Sequence, residues 1–388
     1  MARVSFPSGR AASELATVGS EIPGRHASPS KEGQEDLEGA IWVLLGNHAG
    51  DNRQMLTLAD AVGIPYTARK LPTNGRLSLV DLMLGRSDAN VAAEVRTRLA
   101  PPWPRAVLTS GGRTVAIARW IRRRSGGRTK LIHVGRPWAP LAWFDLVVTT
   151  PQYDLPARPN VLTNLMPLTA VETQPPPIPA GLHDRLAALR RPWITLLIGA
   201  DRAPYHFDEE AIAALARRAT SLADESNGSI IALAGPRTPA ALMRALGRQL
   251  PESSYVRVWG DGANPYPALR HRSDRLVVTE DSAAMLAEAL AGGPEVEVFR
   301  LPQRPSPGRT INRHFRRLAA CRPWVGRLRH ALIATGILTS VRELSLYHDA
   351  LARADLWRGG PAVAMRQRRE LAATASCVRR LATARSRR

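Results

Sequence analysis

Lysine is nearly absent from this chain. Of its 54 basic residues only Lys31, Lys70 and Lys130 are not arginine, a bias that genomic base composition alone can also produce. Cysteine is almost as scarce, and two residues, Cys321 and Cys377, exclude a disulfide framework or a cysteine-rich zinc site. Aromatic residues make up 5% and form no stacking motif, so specific nucleic-acid readout is not expected. Apolar runs such as WITLLIGA at 193–200 fall well short of the roughly 18–20 residues that cross a bilayer. With no secretory apolar region at the N-terminus, the expected location is cytoplasmic or peripheral on the inner membrane.

What the chain does have is 388 residues, 44% hydrophobic and 22% charged, the composition of a globular protein of two or three domains. Its net charge of +21 is unevenly spread. Residues 301–388 hold 19 Arg against Glu343, Asp349, Asp355 and Glu370, a local balance of +15. Such a segment suits an anionic partner, and a membrane surface approached by 304–388 is the expectation.

Residues 1–38 lack periodicity and read as a disordered leader. From 39 to 170, short apolar runs at 41–46, 64–68, 106–109, 131–134 and 145–149 alternate with helical patterns at 52–62, 79–85, 89–99 and 114–123. That is the signature of a parallel sheet wrapped by helices. A proline-rich linker is expected over 171–190. A second alternating set fills 191–303, with strands expected at 193–199, 229–234, 255–258, 275–279 and 295–299. After 304 the strands cease and basic helices are expected near 309–320, 323–335, 338–357 and 361–384. The fold class is therefore α/β, with two Rossmann-like, doubly wound domains facing a cleft and a basic helical extension. In such sheets ligands bind outside the carboxyl ends of the strands.

The loops there define the candidate site. GNHAGDNRQ at 46–54 offers Gly46 and Gly50 for a tight turn and exposed helix amides, with His48 and Asp51 as proton acceptors. The same residues also fit a plain turn capped by Asp51 or Asn52. No G-x-G-x-x-G is present, so a nicotinamide cofactor is not supported. TSGGRT at 109–114 sets Gly112 and Arg113 before a helix, and TTPQYD ends in Tyr153 and Asp154. In the second half, Gly199, Asp201 and Arg202 follow one strand, while Arg237 and Thr238 follow the next. The two guanidiniums suit a diphosphate.

The stretch 259–293, WGDGANPYPALRHRSDRLVVTEDSAAMLAEALAGG, says most. A strand runs into Thr279, Glu280, Asp281 and Ser282 at a helix start, with Glu288 six residues beyond Ser282. Phosphate on the helix tip and ribose on the carboxylate would describe a nucleotide; an N-cap and a glutamate on the buried face would account for the same residues.

This stretch resembles the signature of the elongated-mitochondria fission-factor family, matched at Asn264, Pro265, Tyr266, Asp274, Val278, Thr279, Asp281, Ser282, Met285, Glu288 and Ala289. Further matches stand at Gly46, Gly50, Gln54, Gly112, Arg113, Asp154, Gly199 and Arg237 to Pro239. The resemblance covers about 40–300 and leaves the leader and the tail beyond about 320 outside. Tyr153 stands where the family often has His, Pro236 where it has Arg, and Gly-Gly-Pro-Glu at 292–295 where it has Gly-Lys-Pro-Val. More distantly the family is similar to GT-B nucleotide-sugar glycosyltransferases, such as the transferase that adds N-acetylglucosamine to the lipid-linked peptidoglycan precursor. The resemblance implies a nucleoside-diphosphate sugar as donor, a lipid-linked or envelope acceptor, and neither metal nor cofactor. It places Gly199 and Glu288 on the nucleotide, to which the loop reading adds Arg202, Arg237, Thr238, Thr279, Asp281 and Ser282. The cleft and acceptor side would use Gly46, Gly50, Gly112, Arg113, Asp154, Asn264 and Tyr266, with His48 or Asp51 as base. The alternatives are a non-catalytic membrane adaptor that keeps the fold, and a nucleoside-diphosphate-sugar epimerase. Against the second stands the absence of both a dinucleotide fingerprint and a Tyr-x-x-x-Lys pair.

Overall fold

The structure, a computed structural model, describes residues 40–71, 99–170, 174–201, 203–305 and 307–384, together with the backbone of 22–23. The side chain of Arg113, all of Arg202 and the helices expected at 79–85 and over most of 89–99 lie outside the described residues.

In the first lobe, β2 (Ile41–Leu45), β3 (Tyr66–Lys70), β4 (Ala106–Ser110), β5 (Lys130–Val134), β6 (Leu146–Thr149) and β7 (Val161–Thr163) form a parallel sheet in the order β3-β2-β4-β5-β6-β7. Every residue of β2 is buried, as a strand covered on both faces requires. Two leader residues, β1 (Ile22–Pro23), pair antiparallel with β3 through Ala68 and Thr67, so the stretch read as wholly disordered supplies an edge strand. The short β7, with two half-buried residues and an exposed Thr163, has too little alternation to be expected from the sequence.

Helices α1 (Ala49–Val62) and α2 (Gly111–Arg124) each begin three residues earlier than expected. His48 is the N-cap of α1, not Asp51 or Asn52. The Asn52 side chain is committed elsewhere: it accepts from Gly46 N–H at 2.9 Å and donates to the Gly46 carbonyl at 2.8 Å, closing the loop. Gly111 starts α2 from a φ of +72°, which a residue with a side chain adopts only at a cost.

The second lobe starts within the expected linker. There α3 (Ala180–Ala187) buries Leu182 and Leu186, an i, i+4 pair, in the same apolar cluster as Met166 and Leu269. Strands β8 (Trp193–Ile198), β9 (Ser229–Ala234), β10 (Tyr255–Arg257), β11 (Arg275–Thr279) and β12 (Glu295–Phe299) follow in the parallel order β10-β9-β8-β11-β12. Between them run α4 (Glu209–Ser226), α5 (Ala240–Gly247), α6 (Tyr266–Arg272) and α7 (Ala283–Gly292). The strand order reverses between β8 and β11, so the loops after Ile198 and Thr279 face each other at the switch point.

The tail is helical as expected, with α8 (Pro307–Cys321), α9 (Pro323–Ala334), α10 (Leu344–Arg353) and α11 (Pro361–Thr383), and it packs on both lobes. α10 buries Leu344, Tyr347 and Leu351, each worth about 1.5–3 kcal/mol of apolar burial. The 23 residues of α11, about 35 Å long, cross from one lobe to the other. Gln367 donates to the Ala287 carbonyl at 3.1 Å, Asn164 to Thr374 Oγ1 at 2.9 Å, and the Met166 amide to Glu370 at 2.7 Å. Farther along α11, Arg379 donates to the Val62 carbonyl at 2.8 Å, and Val378 and Ala382 join the first-lobe core.

Candidate functional site

A cavity of about 100 Å³ lies between the lobes at the carboxyl ends of both sheets. The first lobe lines it with Gly50, Asp51 and Gln54 from the start of α1, with Gly135 after β5, with Thr149, Thr150, Gln152 and Tyr153 around the end of β6, and with Asn164, Met166, Pro167 and Leu168 after β7. The second lobe supplies Arg237 and residues 282–284, and the tail supplies Arg342.

On the second-lobe wall, the chain turns from β11 into α7 through Glu280, Asp281 and Ser282. The Ser282 hydroxyl accepts from Met285 N–H at 3.3 Å and caps the helix. This leaves the amides of Ala283 and Ala284 without intrahelical acceptors, at the positive end of the helix dipole. The Arg342 guanidinium hydrogen-bonds the Asp281 carbonyl, while Arg237 has no carboxylate partner among the described residues. Nearby, Arg136 donates to the Ser340 carbonyl and lies over the Trp138 ring at 4.1 Å. Burial, reinforced by the positive charge of Arg342 and opposed by Tyr153, lowers its pKa to about 10. The amides of Ala283 and Ala284 and the guanidiniums of Arg237 and Arg342 thus give this side of the cavity a positive character, a donor set of the kind that suits an anion.

The first-lobe wall is polar but mostly uncharged. Gln54 accepts from the Leu168 amide at 3.2 Å, tying the α1 tip to the segment after β7. Thr149 and Gln152 are both buried, and Thr149 Oγ1 and Gln152 Oε1 have no hydrogen-bond partner among the described residues. Buried oxygens without partners are costly, and both residues belong to the cavity lining. Among the described residues, Asp51 places the only carboxylate on the cavity lining.

The expected site residues divide accordingly. Gly50, Asp51, Arg237 and Ser282 come together on the cavity. His48 is exposed and, like Gly46, outside its lining; Gly112 packs instead against the Trp138 ring. Asp154 faces the tail and forms ion pairs with Arg329 at 3.0 Å and Arg316 at 3.6 Å. Asn264 accepts from the Tyr266 amide in a local turn at 3.1 Å.

Four expected nucleotide ligands are used by the fold itself. Thr279 Oγ1 accepts from Gly199 N–H at 2.9 Å and lies 2.7 Å from the Asp281 carboxylate. That carboxylate also accepts from the Ala200 amide at 2.8 Å, and burial raises its pKa although these donors oppose the rise. Thr238 Oγ1 accepts from the Gly235 amide at 2.8 Å and sits 2.7 Å from the Gly199 carbonyl. Glu288 is buried on α7, accepts from the Tyr266 hydroxyl at 2.6 Å and lies 3.9 Å from Arg270. Burial and this carboxylate push the Tyr266 pKa well up, and neither residue lines the cavity. Arg342, Gln152 and Thr149 were not singled out in the sequence. Arg342 belongs to the tail, and nothing in its neighbourhood signals a return to the cleft.

Fold and cleft together define a two-lobed, GT-B-like α/β protein with helix amides and arginines on the gap between its sheets. The chain belongs to the mitochondrial fission ELM1 family, whose description matches residues 49–342, past the limit near 320 expected from the sequence. It is 27% identical over 224 residues to mitochondrial fission protein ELM1 of Arabidopsis thaliana, covering 50% of this chain and 51% of that one. The match thus spans about half the length of that curated relative. Among solved structures, it is similar to the UDP co-structure of S. aureus MnaA, with 13% identity, 83% and 99% of the two chains covered, and a TM-score of 0.41. For MurG of Acinetobacter baumannii the values are 12%, 84%, 97% and 0.40. For UDP-GlcNAc 2-epimerase of Methanocaldococcus jannaschii they are 11%, 67%, 83% and 0.44.

Proposed function

We propose that the cleft binds a nucleoside-diphosphate sugar and transfers its sugar to a hydroxyl of an envelope-related acceptor. The observation that carries this reading is the convergence on one cavity of the α7 amides, Ser282, Arg237, Arg342 and, opposite them, Asp51. The diphosphate takes the amides of Ala283 and Ala284 and the two guanidiniums. As the bond from the anomeric carbon to the diphosphate breaks, the charge appearing on the leaving phosphate is met by donors already in place. The acceptor hydroxyl enters from the first lobe and passes its proton to Asp51 as its oxygen attacks. Glu288 reaches a ribose in this scheme only by exchanging the Tyr266 hydroxyl for ribose hydroxyls.

Titration calorimetry with UDP and GDP tests the reading. One of them binds the unaltered protein and binds Arg342→Ala about 10–100-fold more weakly, the range for a charged hydrogen bond; no binding of either defeats the proposal. One observation favours a non-catalytic adaptor instead: the cavity is smaller than the roughly 300–1,000 Å³ of ligand pockets, and four expected nucleotide contacts are occupied by the protein. The same titration decides between the two readings.

A further inference from the structure

The basic tail does not present its charge evenly. Between 301 and 342 there are nine Arg and no acid. Arg309 pairs with Glu343 at 3.0 Å, Arg316 and Arg329 pair with Asp154, and Arg342 turns to the cleft. The hairpin of α8 and α9 buries Arg309, Asn312, Val325, Arg329 and Ile333 towards the body. Its other side shows Ile311 and Leu318, seven residues apart on α8, and Trp324 and Leu328, four apart on α9. Trp324 is 55% exposed, and Ile337, just beyond α9, is 70% exposed. Gly336 lies so close to Pro140 that an added Cβ would meet its nitrogen at 2.8 Å. That contact sets the 336–337 turn against the loop carrying the exposed Trp138. Arg313, Arg317, Arg322 and Arg327 are also exposed on the same hairpin, without carboxylate partners among the described residues.

We infer that the α8–α9 hairpin, rather than the tail as a whole, is a docking surface for an anionic lipid bilayer. Large apolar side chains grouped on an otherwise polar surface mark an interaction face. The exposed arginines of the same two helices, with no acid in the segment, match phosphate headgroups in charge. Tryptophan and leucine reach the acyl boundary while long arginine side chains spread to the headgroups. A soluble protein partner would have to offer a strongly acidic surface around an apolar centre; a bilayer with anionic lipid presents both at once. Through Asp154, the hairpin is braced two residues from Gln152 on the cleft wall, so docking would set the acceptor side of the cleft beside the membrane. The inference stands whether or not the cleft binds a nucleotide.

Co-sedimentation of the full chain with vesicles tests it, using pure phosphatidylcholine and an equal mixture with phosphatidylglycerol. The unaltered protein partitions onto the anionic vesicles and not onto the neutral ones. Each basic residue at such a surface is worth about a fivefold gain, so replacing Arg313, Arg317, Arg322 and Arg327 by Gln lowers binding by about a hundredfold or more. Trp324→Ala with Leu328→Ala lowers it about tenfold, and that loss persists in salt. Arg368→Gln with Arg369→Gln, exposed on α11, changes it less than about twofold. All these positions are exposed, so circular dichroism melts should stay unchanged and confirm folding. Equal loss from the α11 pair, no loss from the Trp324 and Leu328 pair, or capture of RNA in place of vesicles overturns the inference. UDP titration of the same variants keeps this outcome separate from that of the cleft.

Discussion

Gly199 and Asp281 approach so closely that a Cβ on Gly199 would lie 2.1 Å from both carboxylate oxygens. The glycine is there for the neighbouring strand's aspartate, which locks the two switch-point loops together through the Ala200 amide and Thr279. Gly199→Ala should cost about 2–3 kcal/mol by pushing that carboxylate off its donors. Adding Asp281→Ala should cost much less than the sum of the two single changes, because the clash disappears with the carboxylate. Urea unfolding of the two single variants and the double variant measures the coupling; additive losses would show that the two residues do not press on each other.

His133 is fully buried on β5, 5.2 Å from the Phe144 ring, and burial lowers its pKa from 6.5 to about 4. The unfolded chain protonates this imidazole near 6.5 while the folded chain holds it neutral, so between the two values the unfolded form binds more protons. Stability therefore falls as pH falls from 6.5 to about 4 and levels off below. The full window amounts to roughly 3 kcal/mol. Compared with the unaltered protein, His133→Leu should flatten the decline in urea midpoint between pH 7 and pH 4.5. An equally steep decline in the variant would assign the acid sensitivity to other groups.

The sheets were legible because buried parallel strands are continuous apolar runs, as at Ile41–Leu45 and Trp193–Ile198. Helix starts were harder to place: Gly50 and Gly111 look like loop residues until the turn they enter is seen. The pair Leu182 and Leu186 carried a helical signal inside a stretch that proline made look like linker. Within the site, the Ser282 tip and Asp51 could be read from loop position alone. The commitment of Thr238, Thr279 and Asp281 to the backbone of neighbouring strands could not, because it depends on contacts across some 40 to 80 residues of sequence. Arg342 and the docked tail escaped for the same reason, and a charge count cannot separate Arg329, paired with Asp154, from Arg327, which faces outward.

Glu288 offers a sharp discrimination. If its carboxylate leaves Tyr266 to hold a ribose, 2′-deoxy-UDP should bind about tenfold more weakly than UDP, the worth of one hydrogen bond to a charged acceptor. Glu288→Gln should then narrow that gap to about twofold or less, since a neutral amide is a poorer acceptor. Competition calorimetry with the two nucleotides reads the ratio directly. Equal binding of both by the unaltered protein would leave Glu288 as a structural partner of Tyr266 and Arg270 alone.

Asp51 separates binding from chemistry. Its carboxylate faces the cavity across from Arg237 and Arg342, and removing its charge should leave nucleotide affinity unchanged or slightly higher, because the phosphates lose a like charge nearby. Transfer needs the carboxylate as proton acceptor, and Asp51→Asn should slow it by about 10²–10⁴-fold. His48→Gln, at the exposed N-cap, should slow it by less than about threefold, because the cap is formed by the backbone and its side chain makes no capping hydrogen bond. Single-turnover assays with a radiolabelled nucleotide sugar and membrane extract as acceptor would measure both. If His48→Gln is the slower variant, the proton leaves by the loop tip rather than by the cavity wall, and the acceptor must approach over α1 instead of along the first-lobe face.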